Sequence, residues 1–226
     1  MVSSLSNRLK VSTLYSGFYG DNGYPFANFA ERVVRADGPE DIQDKDSMLI
    51  LWGGTDINPK LYGHEESKYT YAGAPRRDLV EWKLLHKAVA LGIPIIGICR
   101  GAQMLCAAAG GFLLQDVPNH AGYGHMVTTK DNTEFYTNTI HHQMMCGLEK
   151  TDHELVAWTT PKDPNKHYTY QKDQRYILPE GFVEPEFVFF KKIKGYAIQW
   201  HPEAMDLDSP ATKYIHEYLE KTYDKG

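Results

Sequence analysis

The chain has 226 residues, 42% of them hydrophobic, and a formal net charge of −5 at pH 7. A chain of this size can bury a substantial core, and we predict one α/β domain over residues 1–226. The mild acidity argues against a general nucleic-acid-binding protein, and no stretch reaches the roughly 20 apolar residues of a membrane span. The three cysteines have no paired spacing. This favours a reducing compartment, so we expect a cytoplasmic protein without nucleic-acid or membrane partners.

The first part of the chain predicts strands and helices in alternation. Residues 1–9 are polar and are expected to form a flexible start, and residues 11–14 predict a strand. Helical spacing of apolar residues predicts a helix over 26–34, whereas the apolar run 47–51 is typical of a buried strand. A second helix is predicted over 78–91, since its apolar residues recur at helical spacing. The residues at its two ends, Asp78 and Gly92, are predicted to be its N-cap and C-cap.

The second part of the chain continues the alternation. Further strands are predicted at 93–98, 112–117, 125–127, 155–159, 187–191 and 196–200, and a closing amphipathic helix at 210–223. The connection 161–186 is long and rich in tyrosine and lysine, which is typical of a functional loop. Strands that alternate with helices predict a mostly parallel sheet with helices on both faces.

Cys99 lies where a predicted strand gives way to a predicted helix. Gly97 precedes it by two residues and Gly101 follows it by two. A sharp strand-to-helix turn needs such small neighbours, because its flanks pack closely. The position at a helix N-terminus favours the thiolate form. Cys99 is therefore the candidate nucleophile, whereas Cys106 and Cys146 lack this setting and are predicted to be core or incidental residues.

A thiolate nucleophile needs a base and a group that orients the base. His201 leaves the end of the last predicted strand, as Cys99 leaves the end of another, and parallel strands place their carboxyl ends at one edge. Glu203 lies two residues further on, so in an extended segment it projects on the same side as His201. The segment taken alone is typical of a surface turn. Together with Cys99 it predicts a triad and acyl transfer through a thioester.

The tetrahedral intermediate of acyl transfer carries an oxyanion, which needs hydrogen-bond donors. The backbone N–H of Arg100, directly after the nucleophile, is one candidate. Gly53 and Gly54 follow the predicted strand 47–51 and supply a second donor. A plain turn at the end of a strand explains this glycine pair equally well.

His141 and His142 stand in a polar, histidine-rich segment. Adjacent residues of a strand face opposite sides, and no carboxylate or cysteine stands at ligand spacing. We therefore predict no metal site and no cofactor.

Five ordered motifs resemble those of the class I glutamine amidotransferase superfamily, and are most similar to its γ-glutamyl hydrolase branch. They are GGTDINP at 53–59, GICRGAQ at 97–103, GGFLLQD at 110–116, NTIHHQ at 138–143 and QWHPE at 199–203. One departure is Trp52, at a position where the family usually has proline.

The resemblance implies a three-layer sandwich with a flavodoxin-like, mostly parallel sheet, formed by a single class I glutamine amidotransferase-like domain. It also implies cleavage of the γ-glutamyl amide bond of a small molecule. Residues near the glutamyl group would be Gln103, Asn138, His141 and His142.

Three functions remain open from the sequence. The first is a cysteine-dependent hydrolase that releases glutamate and an amine or ammonia. The second is a glutaminase subunit that delivers ammonia to a separate synthase partner. The third is a non-catalytic binding module on the same fold, against which the intact triad argues. The sequence leaves a homo-oligomer equally open.

Overall fold

The computed structural model describes residues 10–17, 22–122, 124–163 and 165–223. The flexible start predicted for 1–9 lies outside these ranges. The strands are β1 (Val11–Gly17), β2 (Ala30–Ala36), β3 (Ser47–Leu51), β4 (Ile95–Ile98), β5 (Phe112–Leu114), β6 (His125–Thr129), β7 (Glu134–Thr137), β8 (Met144–Cys146), β9 (His153–Thr159), β10 (Tyr168–Thr169), β11 (Arg175–Tyr176), β12 (Glu184–Phe190) and β13 (Gly195–Ile198). The α-helices are α1 (Pro75–Leu91), α2 (Arg100–Ala108) and α3 (Pro210–Thr222). Within the described ranges, no helix combines the length and apolar character that crossing a membrane requires.

One large sheet organises the described residues, in the strand order β2-β1-β3-β4-β13-β12-β9-β6-β7. The five strands from β2 to β13 run parallel to one another. The pairings from β13 to β7 are antiparallel. The carboxyl ends of β3, β4 and β13 therefore share one edge of the sheet. The chain leaves this edge at Trp52, Cys99 and Gln199.

Side chains alternate between the two faces along each buried strand, so both faces of the sheet are apolar. Helices cover both of them. In β3, Met48 and Ile50 pack in one apolar cluster with α3. Leu49 and Leu51 point the opposite way and pack in a second cluster with α1 and α2. This arrangement confirms the predicted three-layer sandwich with a flavodoxin-like sheet.

The helix predicted over residues 26–34 is wrong. The segment forms a single 3-10 turn, Ala27–Phe29, and then β2, which pairs with β1 in parallel. β2 is an edge strand and most of its residues are partly exposed. Its hydrophobic residues therefore do not show the continuous run of a buried strand. The β-branched side chains of Val33 and Val34 favour the extended conformation.

Helix α1, which the sequence predicts to begin at residue 78, begins three residues earlier. Pro75 is its first residue and Ala74 takes the N-cap position. Proline suits that first position because its missing N–H would have no partner there. Asp78 is therefore not the N-cap; it lies buried in the first turn and forms an ion pair with Arg100. Gly92, with φ 71°, ends the helix as predicted.

The strand predicted at 112–117 is shorter and lies outside the main sheet. It is β5, which pairs with β8 in an antiparallel ribbon. The long connection 161–186 packs against this ribbon through an apolar cluster that contains Phe112, Met144 and Tyr168. Within the described residues it contains the two-residue strands β10 and β11, which pair with each other, and at its end the first residues of β12, which begins at Glu184.

Candidate active site

Cys99 lies on a sharp turn between β4 and α2. Its backbone has φ 49° and ψ −103°, a conformation that is costly for a residue with a side chain and is concentrated at functional sites. The N–H of Cys99 donates to the carbonyl oxygen of Ile198 at 2.7 Å. This bond ties the turn to the neighbouring strand β13.

Close packing explains the glycines on either side of this turn. A Cβ on Gly97 would lie 2.5 Å from the carbonyl carbon of Gly101. A Cβ on Gly101 would lie 2.1 Å from the carbonyl oxygen of Leu51 in β3. Neither position accommodates a side chain, so the predicted need for small neighbours of Cys99 is confirmed.

His201 follows β13 and meets Cys99 at the same edge of the sheet. Its Nδ1 lies 2.7 Å from Oε1 of Glu203, which leaves the other ring nitrogen for Cys99, a hydrogen-bond partner of the ring. Burial lowers the pKa of His201, but the hydrogen bonds to Cys99 and Glu203 and their charges outweigh burial and raise it to about 10. The structure thus brings together the three residues of the predicted triad.

Asn138 holds the main chain of His201 from a different part of the chain. Its Oδ1 accepts from the N–H of His201, and its Nδ2 donates to the carbonyl oxygen of His201, both at 2.8 Å. The Asn138 amide therefore fixes the position from which the imidazole projects. The predicted contact of Asn138 with substrate stays a prediction.

The turn after β3 borders the same residues. A Cβ on Gly53 would lie 2.6 Å from Cε1 of His201 and 3.5 Å from Cβ of Cys99. The N–H of Arg100 has no carbonyl partner within α2, because Arg100 is the first residue of that helix. Gly53 and Arg100 therefore flank Cys99. The donation of their N–H groups to an oxyanion stays a prediction, as does that of Gly54.

A buried ion-pair network supports this turn. The Arg100 guanidinium is fully buried and pairs with both Asp78 and Glu81 of α1. Arg77 pairs with Glu81 at 2.9 Å, and its Nη2 donates to the carbonyl oxygen of Trp52 at 2.9 Å. The network thus connects α1 and α2 to the start of the glycine pair.

Trp52, at the start of the turn after β3, is held in place by its side chain. Its Nε1 donates to Oγ of Ser16 at 2.9 Å, and the residue is buried. Gly54 has φ 147°, and a Cβ there would lie 2.2 Å from Nη1 of Arg77. Arg77 therefore lies directly against the turn and helps to set its course.

His142 lies between two carboxylates. Its Nε2 is 3.0 Å from Oδ2 of Asp56, and its Nδ1 is 3.2 Å from Oδ1 of Asp116. These hydrogen bonds, first to Asp116 and then to Asp56, raise the pKa of His142 to about 9. Asp56 also accepts from the N–H of Tyr71, whose side chain is exposed. His142 therefore links the turn after β3 to the region of β5.

Gln103 and His141 are both buried and both bind one main-chain carbonyl. Nε2 of Gln103 donates to the carbonyl oxygen of Gln143 at 3.2 Å, and Nδ1 of His141 lies 2.9 Å from the same oxygen. Burial holds the pKa of His141 well below its usual range. Contact of either residue with a glutamyl group stays a prediction.

Sequence reasoning missed several residues that shape the site. Among them are Glu81, Asp56 and Asp116, each a carboxylate that pairs with a cationic side chain of the site region. Asp56 and Asp116 stand inside the motifs quoted above, but their partnership with His142 has no local pattern. Glu81 lies four residues after Arg77 on one helix face, and that spacing does not distinguish a buried pair from an exposed one.

The fold and site together define a class of enzyme. An α/β sheet that carries a cysteine on a strand-to-helix turn, beside a histidine and a carboxylate, is an arrangement of nucleophilic acyl-transfer enzymes. The chain belongs to the Peptidase C26 family, which its residues 39–161 match. This confirms the resemblance to class I glutamine amidotransferases.

Individual relatives agree with this membership. A Mycobacterium tuberculosis protein, provisionally named a glutamine amidotransferase, is 36% identical over 200 residues, which cover 80% of this chain and 63% of that protein. The chain thus spans slightly less than two thirds of that relative's length. A shorter match joins 68 residues to the γ-glutamyl-γ-aminobutyrate hydrolase of Escherichia coli O157:H7, with 35% identity, covering 30% of this chain and 26% of the hydrolase.

The fold is shared with a solved glutamine amidotransferase from Thermotoga maritima. The two structures have a TM-score of 0.55 over 97% of this chain and 88% of that chain, at 14% sequence identity. The similarity therefore lies in the fold.

Proposed function

We propose that this protein is a cysteine-dependent hydrolase that cleaves a γ-glutamyl amide bond through a thioester intermediate. The observation that carries the proposal is the contact of the Cys99 turn with His201, whose ring is in turn bonded to Glu203. The raised pKa of His201 supports an imidazolium beside the Cys99 sulfur at neutral pH.

In the first half of the reaction the Cys99 thiolate adds to the γ-carbonyl carbon. The oxyanion that forms accepts hydrogen bonds from the N–H groups of Arg100 and the glycine turn; one such donor is typically worth about 3 to 4 kcal/mol. When the carbon–nitrogen bond breaks, the His201 imidazolium gives its proton to the departing nitrogen. The amine or ammonia leaves, and the glutamyl group remains on sulfur.

In the second half a water molecule attacks the thioester. His201, now neutral, takes the proton of that water, and the carbon–sulfur bond breaks. Glutamate is released and the thiolate and imidazolium pair returns. Glu203 keeps the ring oriented in both halves by accepting from its Nδ1–H.

The glutamyl half of the substrate is supported by the family and by the short match to the Escherichia coli hydrolase. The amine half is open. A panel of glutamine and several γ-glutamyl amines, with glutamate release as the readout, tests both halves. We expect turnover of at least one γ-glutamyl amine by the protein alone.

A matched pair of variants assigns the activity to the nucleophile. Cys99→Ala should abolish glutamate release, whereas Cys106→Ala, which removes a buried thiol within the helix that follows Cys99, should retain it. Activity retained by Cys99→Ala would overturn the proposal. If the protein alone has negligible activity and becomes active only when a synthase is added, the function as a glutaminase subunit is favoured instead.

A further inference from the structure

A second group of titratable side chains lies buried apart from Cys99. It contains His120 from the loop before β6, His125 at the start of β6, Glu186 in β12 and His141. Their relative exposures are 2%, 7%, 0% and 4%. His120 and His125 lie five residues apart, whereas Glu186 and His141 come from distant segments. None of the four takes part in the proposed bond-making and bond-breaking steps, and only His141 is also predicted to lie near the glutamyl group. We call these four residues the histidine–glutamate cluster.

The three imidazoles converge on one carboxylate oxygen. Nε2 of His125 lies 3.0 Å from Oε1 of Glu186, and the corresponding distances are 3.8 Å for His120 and 3.9 Å for His141. One ligand atom from each of His120, His125 and Glu186 falls within 4.8 Å of the others. His141 lies just outside this group of three, with its ring centroid 4.9 Å from that of His120.

The outer nitrogens of two rings fix their tautomers. Nδ1 of His120 is 2.8 Å from the carbonyl oxygen of Pro118, and Nδ1 of His141 is 2.9 Å from that of Gln143. A carbonyl can only accept, so both Nδ1 atoms carry the proton and a neutral ring turns an Nε2 lone pair towards Glu186. Metal-binding histidines are oriented in this way, by donation from the second nitrogen to a backbone carbonyl.

The inward-facing atoms of the histidine–glutamate cluster are not satisfied by the protein. Among the described residues, Nε2 of each of the three histidines and both carboxylate oxygens of Glu186 make no hydrogen bond of regular geometry. The nearest polar neighbours are carboxylates: Oε1 of Glu186 is 3.0 Å from Nε2 of His125, and Oε2 of Glu184 is 3.5 Å from Nε2 of His120. Lone pairs that face a buried carboxylate repel it, and an unpaired buried charge is costly. A cation at the point of convergence would satisfy all of these atoms together.

We propose that the histidine–glutamate cluster binds a divalent transition-metal ion, with Zn²⁺ the best fit. Zinc takes four nitrogen or oxygen ligands at about 2.0 to 2.2 Å in a tetrahedron, so the ligand atoms stand about 3.3 to 3.6 Å apart. The distances from Oε1 of Glu186 to the three nitrogens, 3.0 to 3.9 Å, bracket that spacing. Imidazole ligands disfavour Ca²⁺ and Mg²⁺, which prefer oxygen.

His120, His125 and Glu186 supply three ligands, and His141, whose Nε2 is 3.9 Å from Oε1 of Glu186, would move in as the fourth. Four protein ligands leave no open position, so the ion would have a structural role. It would connect β6 and β12 of the sheet to the segment that follows β7. That segment contains His141 and, three residues earlier, Asn138, which holds the main chain of His201. The ion would therefore stabilise the support of the active-site histidine without taking part in the reaction.

Metal content of the purified full chain tests the site directly. The protein is prepared without chelators, dialysed against metal-free buffer and analysed by mass spectrometry for metals; we expect one zinc ion per chain. His125→Gln and Glu186→Gln should lose it. His167→Gln, which makes the same change at an exposed histidine, should keep it. Equal zinc in all variants, or none in the wild type, would overturn the proposal.

Because a thiolate and an imidazole also bind zinc, Cys99→Ser serves to separate the two sites. Zinc retained in Cys99→Ser supports the histidine–glutamate cluster; zinc lost there assigns the metal to the catalytic pair and overturns it.

A measurement on the wild type is independent of whether the variants fold. Co²⁺ added to chelator-treated protein should give the visible absorption of four-coordinate cobalt without a sulfur charge-transfer band. Zinc at about a hundredfold excess over its Kd should raise the Tm by about 5 to 10 °C. Octahedral cobalt with no change in Tm would contradict the site.

Discussion

Gly53→Ala perturbs the space between the nucleophile and the base without altering either. The new methyl group would stand 2.6 Å from Cε1 of His201, whereas an unstrained carbon–carbon contact is about 3.5 Å. The imidazole or the turn must therefore move by about 1 Å. A misplacement of that size typically costs about 100-fold in rate. We expect kcat/KM to fall by about 100-fold.

The assay is hydrolysis of a chromogenic γ-glutamyl anilide, followed at a temperature where circular dichroism shows both variants folded. Gly73→Ala is the matched control, because its methyl group would approach no other atom closer than 4.0 Å and its φ lies outside the left-handed region. A Gly53→Ala protein as active as Gly73→Ala would refute the close approach of Cys99 and His201 that the account requires.

Three further predictions concern the support of the site. Asn138→Ala removes two hydrogen bonds to the His201 main chain, so kcat should fall by about tenfold, or about 1.4 kcal/mol; a rise in KM alone would indicate substrate contact instead. Glu203→Gln should lower kcat more than it raises KM. It should also move the alkaline limb of kcat/KM to lower pH, because Glu203 helps to hold the pKa of His201 at about 10; an unmoved limb would count against it. Glu81→Gln leaves two buried arginines short of a carboxylate, so denaturant unfolding should show a loss of about 3 to 5 kcal/mol; unchanged stability would contradict the network.

The sequence predicted the parts of the site that have a local pattern. The turn at Cys99 could be located because its two flanking glycines are only two residues away on either side. Glu203 could be assigned to His201 for the same reason, since a two-residue spacing places both side chains on one side of an extended segment. The meeting of these two segments followed from the parallel strands that precede them.

Features that depend on tertiary contacts could not be predicted. The strand β2 was predicted as a helix because an edge strand, partly exposed along its length, shows no regular alternation. Asp78 is of a residue type that is common at helix N-caps, yet its carboxylate pairs with Arg100, a partner 22 residues away in the sequence.

The histidine–glutamate cluster illustrates the same limit. The sequence predicts no metal site at His141, because no carboxylate stands at ligand spacing from it. Glu186, 3.9 Å from its Nε2, is supplied by β12 after a long connection. Only the pairing of distant strands reveals that these residues share one place.

In the proposed reaction Cys99 carries the glutamyl group during turnover. Intact-mass spectrometry of the protein, quenched in acid during hydrolysis of a slow γ-glutamyl substrate, tests it directly. We expect a species heavier by one glutamyl acyl group, located on the peptide that contains Cys99 and absent from Cys99→Ala. Turnover without any such adduct, or an adduct on another residue, would contradict it.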